Sequence, residues 1–214
     1  MSEADDPHGS QPVAYRGRPL AEATAAALLV HGRGATAESI LTLVDELDLP
    51  SIAYLAPQAA SGSWYPHSFL APIESNEPRL SSALGRLATV VAEIEAAGIP
   101  AERIALLGFS QGACLTLELA VRHPRRYGAI VAFTGGTIGP AGTPREGSGS
   151  FAGTPAFLGS SDPDPHVPVW RFRETAELLT EMGASVTASL YPGMPHTVNR
   201  DEIDAARRLL ARLT

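Results

Sequence analysis

Short apolar runs alternate along the chain with longer segments whose apolar positions recur every three or four residues. "TAAALLVHG" (24–32), "SIAYLAP" (51–57), "RIALLGFS" (103–110), "GAIVAFTGG" (128–136), "TPAFLGSSD" (154–162) and "ASVTASLYPG" (184–193) form the first class. Near-continuous apolar runs of this length suit parallel strands covered on both faces. Between them, 36–47, 78–98, 111–124, 168–183 and 200–213 read as helices. In 36–47, Ile40, Leu43, Val44 and Leu47 share one face, and 78–98 opens on proline and stops at glycine, the usual asymmetry of helix ends. The βαβα alternation predicts a mostly parallel, doubly wound sheet with helices on both sides. "QPVAYRG" (11–17) adds a possible antiparallel edge strand.

Two segments lack periodicity. Residues 57–77 are rich in Pro, Ser and aromatics and read as a pocket wall; residues 135–153 are rich in glycine and read as a surface excursion. Both follow strands, and open α/β sheets bind ligands beyond the carboxyl ends of their strands. Residues 1–12 are polar and acidic, without the basic and apolar regions of a secretory signal. They read as a flexible tail preceding a single domain over 13–214.

Composition narrows the chemistry. All 16 basic residues are arginine, so a lysine Schiff base, a P-loop lysine and a Ser-x-x-Lys site are excluded. The one cysteine, Cys114, excludes an internal disulfide, a CxxC pair and a thiolate zinc site, and agrees with a reducing, cytoplasmic setting. Its place just past a strand-to-helix turn reads as a small buried hydrophobe. A net charge of −7 argues against a nucleic-acid partner. No apolar run approaches the roughly 18 residues of a membrane span.

"GFSQG" (108–112) places Ser110 between two glycines, after an apolar strand and before a helix. G-x-S-x-G is weak alone; its context, a strained turn that exposes Oγ, gives it weight. The alternative is a turn in which Ser110 caps the helix. A serine hydroxyl needs a base, and the base an orienting acid, in the chain order Ser, Asp or Glu, His. "YPGMPH" supplies His196 after the last strand. His8, His67, His123 and His166 fit less well by position. "LGSSDPDPHVP" supplies two acids, Asp162 and Asp164, each flanked by proline in a turn. The oxyanion needs backbone donors; Gln111 follows the nucleophile, and Arg33 in "HGRG" (31–34) follows the first long strand. His31 there reads as a loop-holding residue. Trp64, Tyr65, Phe69 and Met194 are candidates to line an apolar substrate pocket, although Trp64 and Phe69 equally suit covers for the core.

Together "LVHGRG", "LLGFSQGA", "DPHVP" and "YPGMPH" resemble the phospholipase/carboxylesterase family of α/β-hydrolases, which includes the acyl-protein thioesterases. The resemblance spans residues 25 to 210. It implies an α/β-hydrolase fold with a small cap or none, and a serine hydrolase cleaving carboxylic esters through an acyl-enzyme, without metal or organic cofactor. Acyl thioesters, lysophospholipids and a non-catalytic ligand-binding role are the alternatives. The implied partner is a small-molecule ester, with a homodimer as the compatible assembly. The family's D-x-x-V-P turn maps onto Asp164, whereas "GSSDPDP" is two residues longer than usual and keeps Asp162 open. Leu158 stands where the family often has histidine, and Pro195 where glycine is common.

Overall fold

The computed structural model describes residues 6–145 and 149–214. Seven strands form one sheet in the order β1-β3-β2-β4-β5-β6-β7. These are β1 (Val13–Gly17), β2 (Ala26–Val30), β3 (Ala53–Pro57), β4 (Ile104–Phe109), β5 (Ala129–Phe133), β6 (Pro155–Asp162) and β7 (Ser185–Pro192). Only β1 is antiparallel, pairing with β3 at the edge; every other pairing is parallel. All six apolar runs form strands, as does the edge segment.

The helices are α1 (Ala37–Leu41), α2 (Leu43–Leu47), α3 (Arg79–Ala96), α4 (Gln111–Arg122), α5 (Val169–Glu181) and α6 (Arg200–Leu210). The single helix expected over 36–47 is two. The Thr42 hydroxyl and amide both bond the Ser39 carbonyl, which tightens the turn and breaks the α ladder there. Strand pleating splits the core into two layers. Ala26, Leu28 and Val30 of β2 join the layer under α3, α4 and α5, while Ala27 and Leu29 join the layer under α1, α2 and α6. Each fully buried Leu, Val or Ile contributes roughly 1.5–3 kcal/mol, so continuous apolar strands are required on both sides.

One expectation is overturned and one is refined. The segment read as a tail is packed from residue 6, with residues 1–5 outside the described range. His8 is fully buried: its amide donates to Ser82 Oγ (3.0 Å), its Nε2 donates to the Trp64 carbonyl (2.8 Å), and its Nδ1 accepts from the Ala60 amide (3.0 Å). A polar composition hid a residue whose polar atoms are all spent inside the protein. The glycine-rich segment does run over the surface, with residues 140–142 and 149–150 exposed, but it is anchored at both ends. Ile138 and Phe151 are core residues, the Ile138 amide donates to Glu118 Oε2 (3.1 Å), and Gly139 accepts from Arg171 Nη2 (2.8 Å). Residues 146–148 of that segment lie outside the described range.

His31 mirrors His8. Its Nδ1 donates to the Gly32 carbonyl and its Nε2 accepts from the Ala59 amide (3.1 Å), and the Trp64 indole lies beside both imidazoles. The two neutral rings therefore fix the start of the 57–77 wall. Burial pushes the His8 pKa down to about 4, against 6.5 for a free imidazole. The unfolded chain takes up the proton first, so this site's stabilisation is complete above about 6.5 and is lost as pH falls toward about 4. His8→Ala is expected to cost about 2 kcal/mol at neutral pH in denaturant unfolding, since buried partners are left unpaired. It should also flatten the acid loss of stability seen in the parent chain; an unchanged midpoint would return the segment to the status of a tail.

Candidate active site

The site lies beyond the carboxyl ends of β2, β4, β6 and β7. Ser110 sits between β4 and α4 at φ 55°, ψ −120°. Such a backbone costs a non-glycine residue about 1–3 kcal/mol and persists only when its surroundings enforce it. Here the Ser110 amide donates to the Phe133 carbonyl of β5 (2.9 Å), and its carbonyl accepts from the Cys114 amide (3.0 Å). A Cβ on Gly108 would collide with the Gly112 carbonyl, and one on Gly112 with the carbonyls of Val30 and His31. The two glycines let α4 seat directly on β2 and β4. Ser110 makes no side-chain cap to α4. Its Oγ bonds His196 Nε2 at 2.8 Å instead.

His196 is carried by the turn after β7, fixed downstream by a capping box in which Asn199 and Glu202 exchange side chain-to-backbone bonds at the start of α6. Its Nδ1 donates to Asp164 Oδ2 at 2.8 Å. Asp164 is held on both oxygens: Oδ2 also accepts from Ser161 Oγ (2.7 Å), and Oδ1 from the amides of His166 and Val167 (2.8 Å each). Burial alone would raise its pKa, but the donors on Ser161, His196, Val167 and His166 outweigh it and hold the carboxyl below the usual range. The side chain of Asp162 makes none of these contacts: that residue ends β6, where its carbonyl accepts from the Gly193 amide (2.9 Å).

A crevice of about 530 Å³ opens at Ser110 and His196. Its lining includes the apolar Tyr65, Phe69, Phe109, Cys114 and Val167 and the polar Arg33, His67 and His166. Two of the four residues expected on its wall line it, Tyr65 and Phe69. Trp64 does not: its indole is fully buried and Nε1 donates to the His31 carbonyl (2.9 Å). Met194 does not either; its sulfur faces Asn199 Nδ2 at 2.9 Å. Burial pushes the Cys114 thiol up to about 12, which keeps it protonated and unreactive.

The amides of Arg33 and Gln111 have no protein acceptor among the described residues. The side chains of both residues brace the wall, a role that sequence reasoning missed. Gln111 Oε1 accepts from the Trp64 amide (3.0 Å), and its Nε2 donates to the Tyr65 carbonyl (2.8 Å). A polar residue at the first turn of an otherwise apolar helix was the available signal. A larger crevice of about 620 Å³ lies between 72–74 and 140–145, where Glu118 is paired to Arg122 (2.8 Å) and Arg145 (2.9 Å). Among the described residues no group of three or more His, Cys, Asp or Glu is arranged to hold a metal ion.

Comparison with known proteins agrees with this architecture. Residues 18–214 match the family model described as Phospholipase/Carboxylesterase. A phospholipase/carboxylesterase from Dyadobacter fermentans superposes with a TM-score of 0.92 at 48% identity, covering 95% of this chain and 97% of that one. Esterase PE8 shares the fold at 23% identity and a TM-score of 0.77, covering 96% and 99%. Acyl-protein thioesterase 1 of Saccharomyces cerevisiae is 33% identical over 123 residues, 54% of this chain and 52% of that protein. The chain spans about half the length of the curated relatives it matches. With a family match running from residue 18 to the last residue, on a seven-stranded, mostly parallel sheet, the chain belongs to the phospholipase/carboxylesterase family of α/β-hydrolases.

Proposed function

We propose that this protein is a serine esterase that hydrolyses carboxylic esters of small or medium acyl and aryl groups through an acyl-enzyme. The observation that carries the reading is the imidazole of His196, bonded at 2.8 Å both to Ser110 Oγ and to Asp164 Oδ2. Ser110 Oγ attacks the ester carbonyl carbon as its proton passes to His196 Nε2. The C=O π pair moves onto oxygen, where the Arg33 and Gln111 amides receive the charge. Collapse expels the alcohol, which takes the proton back from Nε2. Water, deprotonated by the same nitrogen, then attacks the acyl carbon, and Ser110 leaves with a proton as the carboxylic acid is released. Asp164 orients the imidazole with its proton on Nδ1 and stabilises the imidazolium. Each oxyanion donor contributes about 3–4 kcal/mol to the barrier difference in comparable sites.

Thioester cleavage is the second reading, supported by the similarity to acyl-protein thioesterase 1. Relative kcat/KM for matched oxygen esters and thioesters orders the two. We also place the protein in the cytoplasm, with its one cysteine buried and unpaired.

A fluorophosphonate probe is expected to label the native chain at one residue, and Ser110→Ala to abolish labelling while leaving the fold intact. A well-folded parent chain that resists the probe would favour a binding protein. Asp164 holds the contact to His196, so Asp164→Asn should lower kcat about 10⁴-fold by fixing the wrong tautomer, as in the serine proteases. Asp162→Asn should change it by less than about tenfold, within the range of a turn substitution; the opposite ranking moves the role to Asp162. Asp164 stays ionised below the usual carboxylate range, so the partner of His196 Nδ1 keeps its charge as pH falls through that range.

A further inference from the structure

The guanidinium of Arg33 lies in the crevice with charge and donors to spare. Nη1 donates to Ser63 Oγ (3.1 Å) and the Pro66 carbonyl (2.9 Å), and Nη2 to the His67 carbonyl (2.8 Å). All three acceptors are neutral. An arginine carries five N–H donors, so Nε–H and one Nη2–H remain without a protein partner among the described residues. Adjacent donors of this kind form the planar fork that takes a carboxylate on two oxygens. The surroundings favour the same ligand. In a chain of net charge −7, no Asp or Glu lines the crevice, and its other polar groups include the exposed imidazoles of His67 and His166.

We propose that the crevice selects esters whose acyl part carries a carboxylate, monoesters of short dicarboxylic acids, with the Arg33 side chain as the specificity-determining group. This rests on the esterase reading above. The charge is assigned to the acyl side on geometry. The leaving oxygen must face His196 Nε2 to collect its proton, which keeps the leaving group near the paired imidazoles of His196 and His166, packed edge-on at 4.9 Å. Arg33 is anchored to a different loop, at Ser63–His67. The competing role is structural: the same three bonds staple the wall loop, and a staple would serve neutral and anionic esters alike.

The test compares p-nitrophenyl hemisuccinate and hemiglutarate with p-nitrophenyl butyrate and valerate, pairs that share a leaving group. In the native protein kcat/KM should favour the anionic ester by about tenfold at low salt, the scale of a partly exposed charge-assisted pair. That advantage should shrink at high salt, because the site is open to solvent. Arg33→Met keeps the length of the side chain and removes its charge. Any effect on the wall loop slows both esters together, so the readout is the anionic-to-neutral ratio within each protein, expected to fall to one or below. Should that variant fail to fold, the native ratio and its salt dependence decide alone. A native preference for the neutral ester, or a ratio untouched by Arg33→Met, overturns the proposal while leaving the esterase reading standing. A preference confined to p-acetoxybenzoate over phenyl acetate overturns the acyl assignment. Turnover of none of these esters, with no fluorophosphonate labelling, sinks both readings.

Discussion

The close seating of α4 on the central strands is the constraint from which the site follows. Gly112 lies where any Cβ would strike the Val30 and His31 carbonyls, and Gly108 where it would strike Gly112. Only with both glycines does the first turn of α4 reach the end of β2. That seating forces Ser110 to positive φ and turns its Oγ outward, toward the His196 imidazole. It also leaves the Gln111 amide at a helix N-terminus, where no intrahelical acceptor exists. A strained residue, a free amide and a short hydroxyl–imidazole contact thus share one cause. A side chain at either glycine would disturb all three together.

The same seating connects Ser110 to the crevice wall. The Gln111 side chain bridges the Trp64 amide and the Tyr65 carbonyl, so the residue after the serine braces the loop that bounds the crevice. From the other side, His8 and His31 hold residues 59, 60 and 64 as neutral imidazoles of opposite tautomer. The wall has little regular structure of its own, only two short 3₁₀ turns. Its shape is imposed by side chains from the N-terminal segment, the end of β2 and the start of α4. Acidification would protonate the unfolded chain's histidines before the buried ones, linking the integrity of the wall to pH.

The strands and most helices were legible because their apolar periodicity is strong. The elbow was legible because sterics demand small residues on both sides of Ser110. The acid was not decided by local sequence. Asp162 and Asp164 share proline neighbours and turn propensity, and only the family's turn pattern favoured Asp164. What distinguishes them spatially is the set of donors from Ser161, His166, Val167 and His196 converging on Asp164. His8 was misread because polarity along the chain says nothing about distant partners such as Ser82 and Trp64. Trp64 suited pocket wall and core cover equally, and its buried indole takes the second role; Met194 was expected at the pocket, but its thioether faces Asn199. The break at Thr42 arose from a hydroxyl competing for a helix carbonyl, which apolar periodicity does not register.

The proposed chemistry hangs on one covalent event: the substrate's acyl group must pass through the oxygen of Ser110. Rapid acid quench during steady turnover of a p-nitrophenyl ester, followed by mass spectrometry of the peptide spanning β4 and α4, observes that event. Expected is a transient mass increase equal to the acyl group, localised to Ser110 and decaying as substrate is consumed. Turnover with no adduct at any time point, or an adduct on a different residue, would contradict it.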